Sequence, residues 1–325
     1  MSWLQKVPTP LGGLALGIAS LGAIWGFVLP EWEEAFLLLP KFISAPLLAL
    51  ILCKFLVKPS LLMDDLRHPV VGSVLPTCTM AAMVVAQSLL GNLPEFARSL
   101  WLVAVFAHLG LLAGFMFHRW RDFSAGIFTY EQMIPSWFIP PIGIIVAAVS
   151  SVGMGYEFLV SVLFTFGVVS YAVELPLMLY RILFRERMVD AVLPTFAVMG
   201  APASLSMAGY LTISDAPDPV LLVLLVPLAL CMTGIVYVAF IRLLRLPFSP
   251  GYAAFTFPLV IGSTALFKLS GYLDSVNYQD AAILFDRLAW GELIISSVMV
   301  SYVAVRYCWY YSHSLMAARR LTYMS

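Results

Sequence analysis

Charge is what this chain has least of: Asp, Glu, Lys and Arg make up only 11% of its 325 residues, against about 25% in a soluble globular domain. A soluble fold is excluded. Formal net charge is zero at neutral pH, which argues against nucleic acid or a polybasic membrane-surface partner. Cysteine is equally sparse, and Cys53, Cys78, Cys231 and Cys308 lie in apolar runs without close pairing. Neither a disulfide framework nor a zinc site is therefore expected. No two histidines stand at i+3 or i+4, and no GxSxG, HExxH, CxxC or P-loop string occurs. An intramembrane enzyme needs clustered acids, bases or metal ligands, so neither enzymatic activity nor a cofactor is expected. No polar block or low-complexity linker divides the chain, which reads as a single membrane domain over residues 1–325.

Apolar residues are abundant instead, at 62% of the chain. A spanning helix consumes about 20 of them, and the composition suffices for an all-α integral membrane protein of ten spans. Reading apolar runs between charged or turn-rich breaks places these at 10–29, 36–56, 70–91, 98–117, 137–154, 157–180, 194–213, 219–242, 252–271 and 288–311. An even number puts both termini on one side, together with the loops after spans two, four, six and eight. That side holds Lys6, Lys54, Lys58, Arg67, Arg119, Arg121, Arg181, Arg185, Arg187, Arg242, Arg245, Arg306, Arg319 and Arg320. The other side has only Lys41, Arg98, Lys268 and Arg287. Positive charge favours the cytoplasm, so both termini are expected there, in a plasma (bacterial inner) membrane. The outer loops carry Glu31, Glu33, Glu34, Glu95, Asp215 and Asp280, a poor surface for attracting anions.

The odd spans share a proline followed by small residues: TPLGGLALG at Pro10, LPTCTMAAM at Pro76, IPPIGIIVAAVSS at Pro140, APASLSMAG at Pro202 and FPLVIGSTA at Pro258. Their separations, 66, 64, 62 and 56 residues, match one helical hairpin with its loops. Five copies of a two-helix unit are implied. Inside a bilayer a proline removes one N–H and frees a carbonyl, which is tolerated only under protein or beside a water-filled cavity. Small side chains on the same helices let neighbours approach. Five such helices around one axis would leave a narrow pore with the even spans outside; the alternative is that the prolines only shape tight packing. In the pore reading, Thr77, Thr79, Ser204, Ser206 and Thr256 supply hydroxyls near the kinks, and helix-end dipoles add to them.

The segments PTPLGGLALGIASLG, RHPVVGSVLPTCTM, PSWFIPPIGIIVAAVSS, LPTFAVMGAPASLSMAGYL and YAAFTFPLVIGSTALF together resemble the tellurite-resistance/dicarboxylate transporter family, which includes the bacterial TehA proteins and the plant slow anion channels of guard cells. The resemblance covers nearly the whole chain. It implies five helical hairpins in quasi-fivefold arrangement around a central pore, a homotrimer, and permeation of small inorganic or carboxylate anions. It also implies that Phe257, directly before Pro258, occludes the pore. Two positions depart from the family: Leu14, expected with the five prolines on the pore wall, stands where bacterial members often carry an aromatic, and Gly143 to Val146 stand where they often carry Asn.

Ionisable residues inside spans are functional candidates by default. Glu174, two residues before Pro176 on span six, is either a protonatable group coupling H⁺ to anion movement or a structural carboxylate. Because even spans should lie outside the pore, the structural role is favoured. Glu292 on span ten reads the same way, His108 as a packing histidine, and His68 as a residue at the cytoplasmic mouth. No odd span carries Lys or Arg at mid-membrane, so weak, multi-site binding and a preference for easily dehydrated anions such as nitrate and chloride are expected. The rival is a proton-linked carrier of malate-like dicarboxylates, sulfite or tellurite, which would need a cationic or titrating pore residue. A membrane scaffold or sensor would need a partner surface that the sequence does not offer.

Overall fold

The computed structural model describes the backbone of residues 3–322 and the side chains of residues 4–312. The side chains of Arg319 and Arg320, counted above, lie outside the described residues. No strand is present among the described residues, as expected for backbone that must satisfy its own hydrogen bonds in hydrocarbon. Nine helical stretches among them are long and apolar enough to cross a membrane. These are Leu11–Val28, Pro30–Val57, Val71–Leu89, Pro94–Ser124, Glu157–Phe184, Leu193–Ile213, Pro219–Leu243, Pro250–Ser275 and Gln279–Ser312. A tenth, Pro135–Val149, is shorter. Counting it as the fifth keeps the numbering of spans one to ten used above.

The fifth span ends well before residue 154 because its backbone is broken repeatedly. Two successive prolines, Pro140 and Pro141, and Gly143 leave it alternating between 3₁₀ turns at Pro135–Phe138 and Gly143–Ile145 and α-turns at Ile139–Ile142 and Val146–Val149. Spans two, four and ten instead overrun their apolar stretches, since a helix continues into polar residues past the hydrocarbon.

Burial separates the two sets of spans. In spans one, three, seven and nine, 67% to 78% of the most apolar stretch is buried, against 17% to 33% in the five even spans. Each odd span packs on the next, and span nine returns to span one, so the odd spans close a ring. Every even span lies outside, against the odd spans on either side of it. The ring is tight because small residues allow it. A Cβ on Gly12 would come within 2.4 Å of the Cys78 sulfur on span three, and one on Gly17 within 2.5 Å of the Thr256 Cβ on span nine. Only glycine permits both approaches of span one.

The start of span one and the late part of span ten share one end of the bundle. Pro10 and Pro250 line the same cavity, and Tyr307, late in span ten, donates its hydroxyl to the Pro250 carbonyl. At this end Lys54, only 5% exposed, donates to Thr9 Oγ1 at 2.9 Å and to Asp65 Oδ2 at 3.1 Å. Thr9 Oγ1 donates to the same carboxylate oxygen. The cluster ties the start of span one, the end of span two and the connecting helix Ser60–Arg67 together.

Candidate functional site

Two cavities lie within the ring. The one at the termini end, about 240 Å³, is lined from all five odd spans, by residues that include Gly13, Val74, Ile142, Val198 and Ala253. The opposite one, about 110 Å³, is lined from spans one, three, five and nine. Phe257 is the residue the two linings share.

The backbone of span nine explains that position. Residues Pro250–Phe255 form a 3₁₀ helix, Thr256 departs from helical geometry with φ −94° and ψ −80°, and α-helix resumes at Phe257 with Pro258 second. The break is where a proline would otherwise demand a missing hydrogen bond. Phe257 is 7% exposed and faces the cavities, whereas Phe255 is fully buried against Phe240 and Tyr252, with ring centroids 5.2 and 4.7 Å away. From Phe257 the cavity face continues through Ile261, Thr264 and Lys268. Steps of four, three and four residues return to one face at about 100° per residue.

Of the residues expected to line a pore, Pro10, Thr77, Pro202, Phe257 and Pro258 do line the termini-end cavity. Leu14, Pro76, Pro140, Ser204 and Thr256 line neither cavity. The reason is helical register. Gly13 and Leu16 present the cavity face of span one, leaving Leu14 rotated into packing, where it is 3% exposed. The Pro140 carbonyl is taken by His108 Nε2 at 2.9 Å, and His108 Nδ1 lies 3.0 Å from Thr79 Oγ1. His108 thus bridges spans three, four and five.

The hydroxyls are committed as well. Thr77 donates to the Val74 carbonyl, Ser204 to Gly200 and Ser206 to Pro202, Thr256 shares its proton between Ala253 and Gly13, and Thr79 Oγ1 lies within reach of both the Pro76 carbonyl at 2.7 Å and the acceptor nitrogen Nδ1 of His108 at 3.0 Å. Each hydroxyl proton thus has an acceptor within the protein, which leaves mainly lone pairs to face outward. What remains around the termini-end cavity is helix polarity. The α-helical parts Leu11–Val28, Thr77–Leu89, Ala201–Ile213 and Phe257–Ser275 all begin there, and helix N-termini carry partial positive charge.

The acidic candidates stand elsewhere. Glu174 lies in a lateral groove of spans four, five and six that includes Pro141 and Val173, and its Oε2 is buried without a partner among the described residues. Glu292 packs against span nine at Gly262, where an added Cβ would meet its Oε2 at 2.4 Å. His68 is exposed at the termini end, its Nδ1 accepting from the N–H groups of Val70 and Val71 at 3.2 and 3.3 Å. It caps the start of span three. Lys268 is the lining residue that sequence reading missed. Its spacing from Phe257 was the available signal.

Comparison with known proteins agrees with this architecture. Two proteins of Methanocaldococcus jannaschii named as uncharacterized transporters are similar to the chain. One is 25% identical over 249 residues, covering 68% of this chain and 71% of its own length. The other is 23% identical over 235 residues, covering 63% of this chain and 66% of its own. The family model described as voltage-dependent anion channel matches residues 8–308. With that match spanning nearly all of a multi-pass helical chain, the protein belongs to the voltage-dependent anion channel family and is an anion channel or transporter.

Proposed function

We propose that this protein is an anion-selective channel for small monovalent anions, chloride and nitrate, whose pathway runs through the two cavities and is closed by Phe257. The observation that carries this reading is that Phe257 alone is shared by the two linings. A ring of carbon atoms between two cavities is a hydrophobic constriction, which blocks ions by shape and by dewetting. The termini-end cavity has no charged lining residue, and converging helix N-termini give weak attraction suited to throughput. The reading includes quasi-fivefold equivalence of the five hairpins, a single domain, a homotrimer with one pathway per protomer, and a plasma membrane location. Flux from proteoliposomes loaded with chloride, nitrate or malate, with and without a pH gradient, tests it. Passive chloride and nitrate flux is expected, and malate uptake that requires a proton gradient contradicts it.

Orientation belongs to the same proposal, with both termini cytoplasmic. Single cysteines placed near Glu95, Asp215 and Asp280 should react with an impermeant maleimide added outside whole cells, while cysteines near Arg121 and Arg185 should not. The reverse pattern would overturn the assignment.

The carrier reading turns on Glu174, whose groove is separate from both cavities. Neither cavity lining includes Glu174, which fits a structural carboxylate better than a group meeting substrate. Glu174→Gln is therefore expected to change melting temperature in detergent while leaving flux indifferent to a proton gradient. Retained stability with loss of proton-driven malate uptake would favour the carrier.

A further inference from the structure

We propose that Lys268, Ser20 and Gln87 form an anion-binding site in the cavity opposite the termini, which concentrates monovalent anions on that side of Phe257. The proposal rests on the channel reading above and names the residues that give it selectivity. Lys268 is the sole charged residue in that lining, which otherwise consists of Ser20, Gln87, Thr264 and apolar or aromatic side chains. No carboxylate lines it.

Lys268 is half-buried, and none of the ion pairs among the described residues involves it. Its nearest recorded electrostatic partner is the Phe27 ring, 5.5 Å from Nζ to centroid. An ammonium drawn partly out of water without a counter-charge is costly. A small anion in the cavity offsets that cost. Ser20 is buried on span one and Gln87 half-buried on span three, and neither side chain makes a hydrogen bond among the described residues. Their hydroxyl and amide are left free to donate, unlike Thr264, which donates to the Val260 carbonyl at 3.0 Å.

Three donors from three neighbouring helices thus meet one cavity. Its volume, about 110 Å³, compares with about 30 Å³ per water in the liquid, room for one partly hydrated chloride or nitrate. Lys268 stands eleven residues beyond Phe257 on the same helical face, about 16 Å along the axis. An ion held there is in line with the constriction. A single cation among neutral donors binds one negative charge weakly enough to release it. It also raises the local anion concentration where the neighbouring loops are acidic.

The test has two arms on the full chain. Crystals grown in bromide are expected to show an anomalous peak within hydrogen-bond reach of Lys268 Nζ, and Lys268→Gln is expected to abolish it. In planar bilayers, with Phe257→Ala present in every protein, Lys268→Gln should lower conductance about three-fold at about 0.1 M chloride and far less at about 1 M, where charge is screened within about 3 Å. Lys268→Arg should retain the wild-type salt dependence. No bromide peak, or unchanged low-salt conductance in Lys268→Gln, overturns the proposal; a peak with unchanged conductance marks an adventitious ion only. A peak that Lys268→Gln removes, in a protein that passes no current at any salt, leaves the site standing and overturns the channel reading instead.

Discussion

Phe257→Ala is expected to raise chloride and nitrate current more than about ten-fold, the equivalent of about 1.4 kcal/mol off the barrier. The side chain lines both a cavity of about 240 Å³ and one of about 110 Å³, and truncation to a methyl is expected to join them. Phe255→Ala is the control. Its ring is buried against Phe240 and Tyr252, so removing it should cost about 3 to 5 kcal/mol in stability without opening a path. If Phe257 were only a packing residue, the two variants would behave alike: both less stable, neither conducting better. Single-channel recording alongside melting curves separates the cases.

The second large effect concerns stability. Lys54→Met leaves Asp65 Oδ2 and Thr9 without their cation in a cluster where the Lys54 side chain is 6% exposed and the Asp65 side chain 19%. Removing one partner of a buried pair costs about 3 to 5 kcal/mol because the other charge stays uncompensated. Lys54→Met with Asp65→Leu should recover most of that loss, since replacing both charges by apolar groups of similar volume is often neutral. Thermal unfolding in detergent reads both, and equal losses in the single and double variants would show that the pair is not what holds this corner. Thr9 immediately precedes Pro10 on the cavity wall, so the cluster also anchors the mouth of the termini-end cavity.

The architecture was largely legible because bilayer physics writes it into the sequence coarsely. Apolar length marks the spans, and a proline every 56 to 66 residues marks which ones repeat. The buried odd spans follow from the same reasoning, since broken helices need protein around them. What proline position does not specify is which neighbouring side chain turns inward. Leu14 was expected on the wall, and Gly13 and Leu16 occupy it. Thr256 was expected to offer a hydroxyl, and that hydroxyl is held by the carbonyls of Gly13 and Ala253. Register of this kind is fixed by contacts between spans distant in sequence, such as Gly17 against Thr256. Within one helix, however, register does carry over. Phe257, Ile261, Thr264 and Lys268 form one stripe, and following it outward from the phenylalanine would have found the lysine.

In the proposed pathway the attraction for an anion falls to helix N-termini on one side of Phe257 and to Lys268 on the other. Both are weak and neither is a fixed ring of charge. A permeating ion therefore loses little on leaving, and hydration cost sets the order of preference. Nitrate should pass more readily than chloride, and sulfate poorly.

The most direct measurement is the reversal potential of Phe257→Ala channels in planar bilayers under a potassium chloride gradient. The account predicts a value close to the chloride equilibrium potential, shifting toward nitrate when nitrate replaces chloride on one side. A value close to the potassium equilibrium potential, or the absence of current from folded protein, would contradict an anion pathway through the cavities that Phe257 divides.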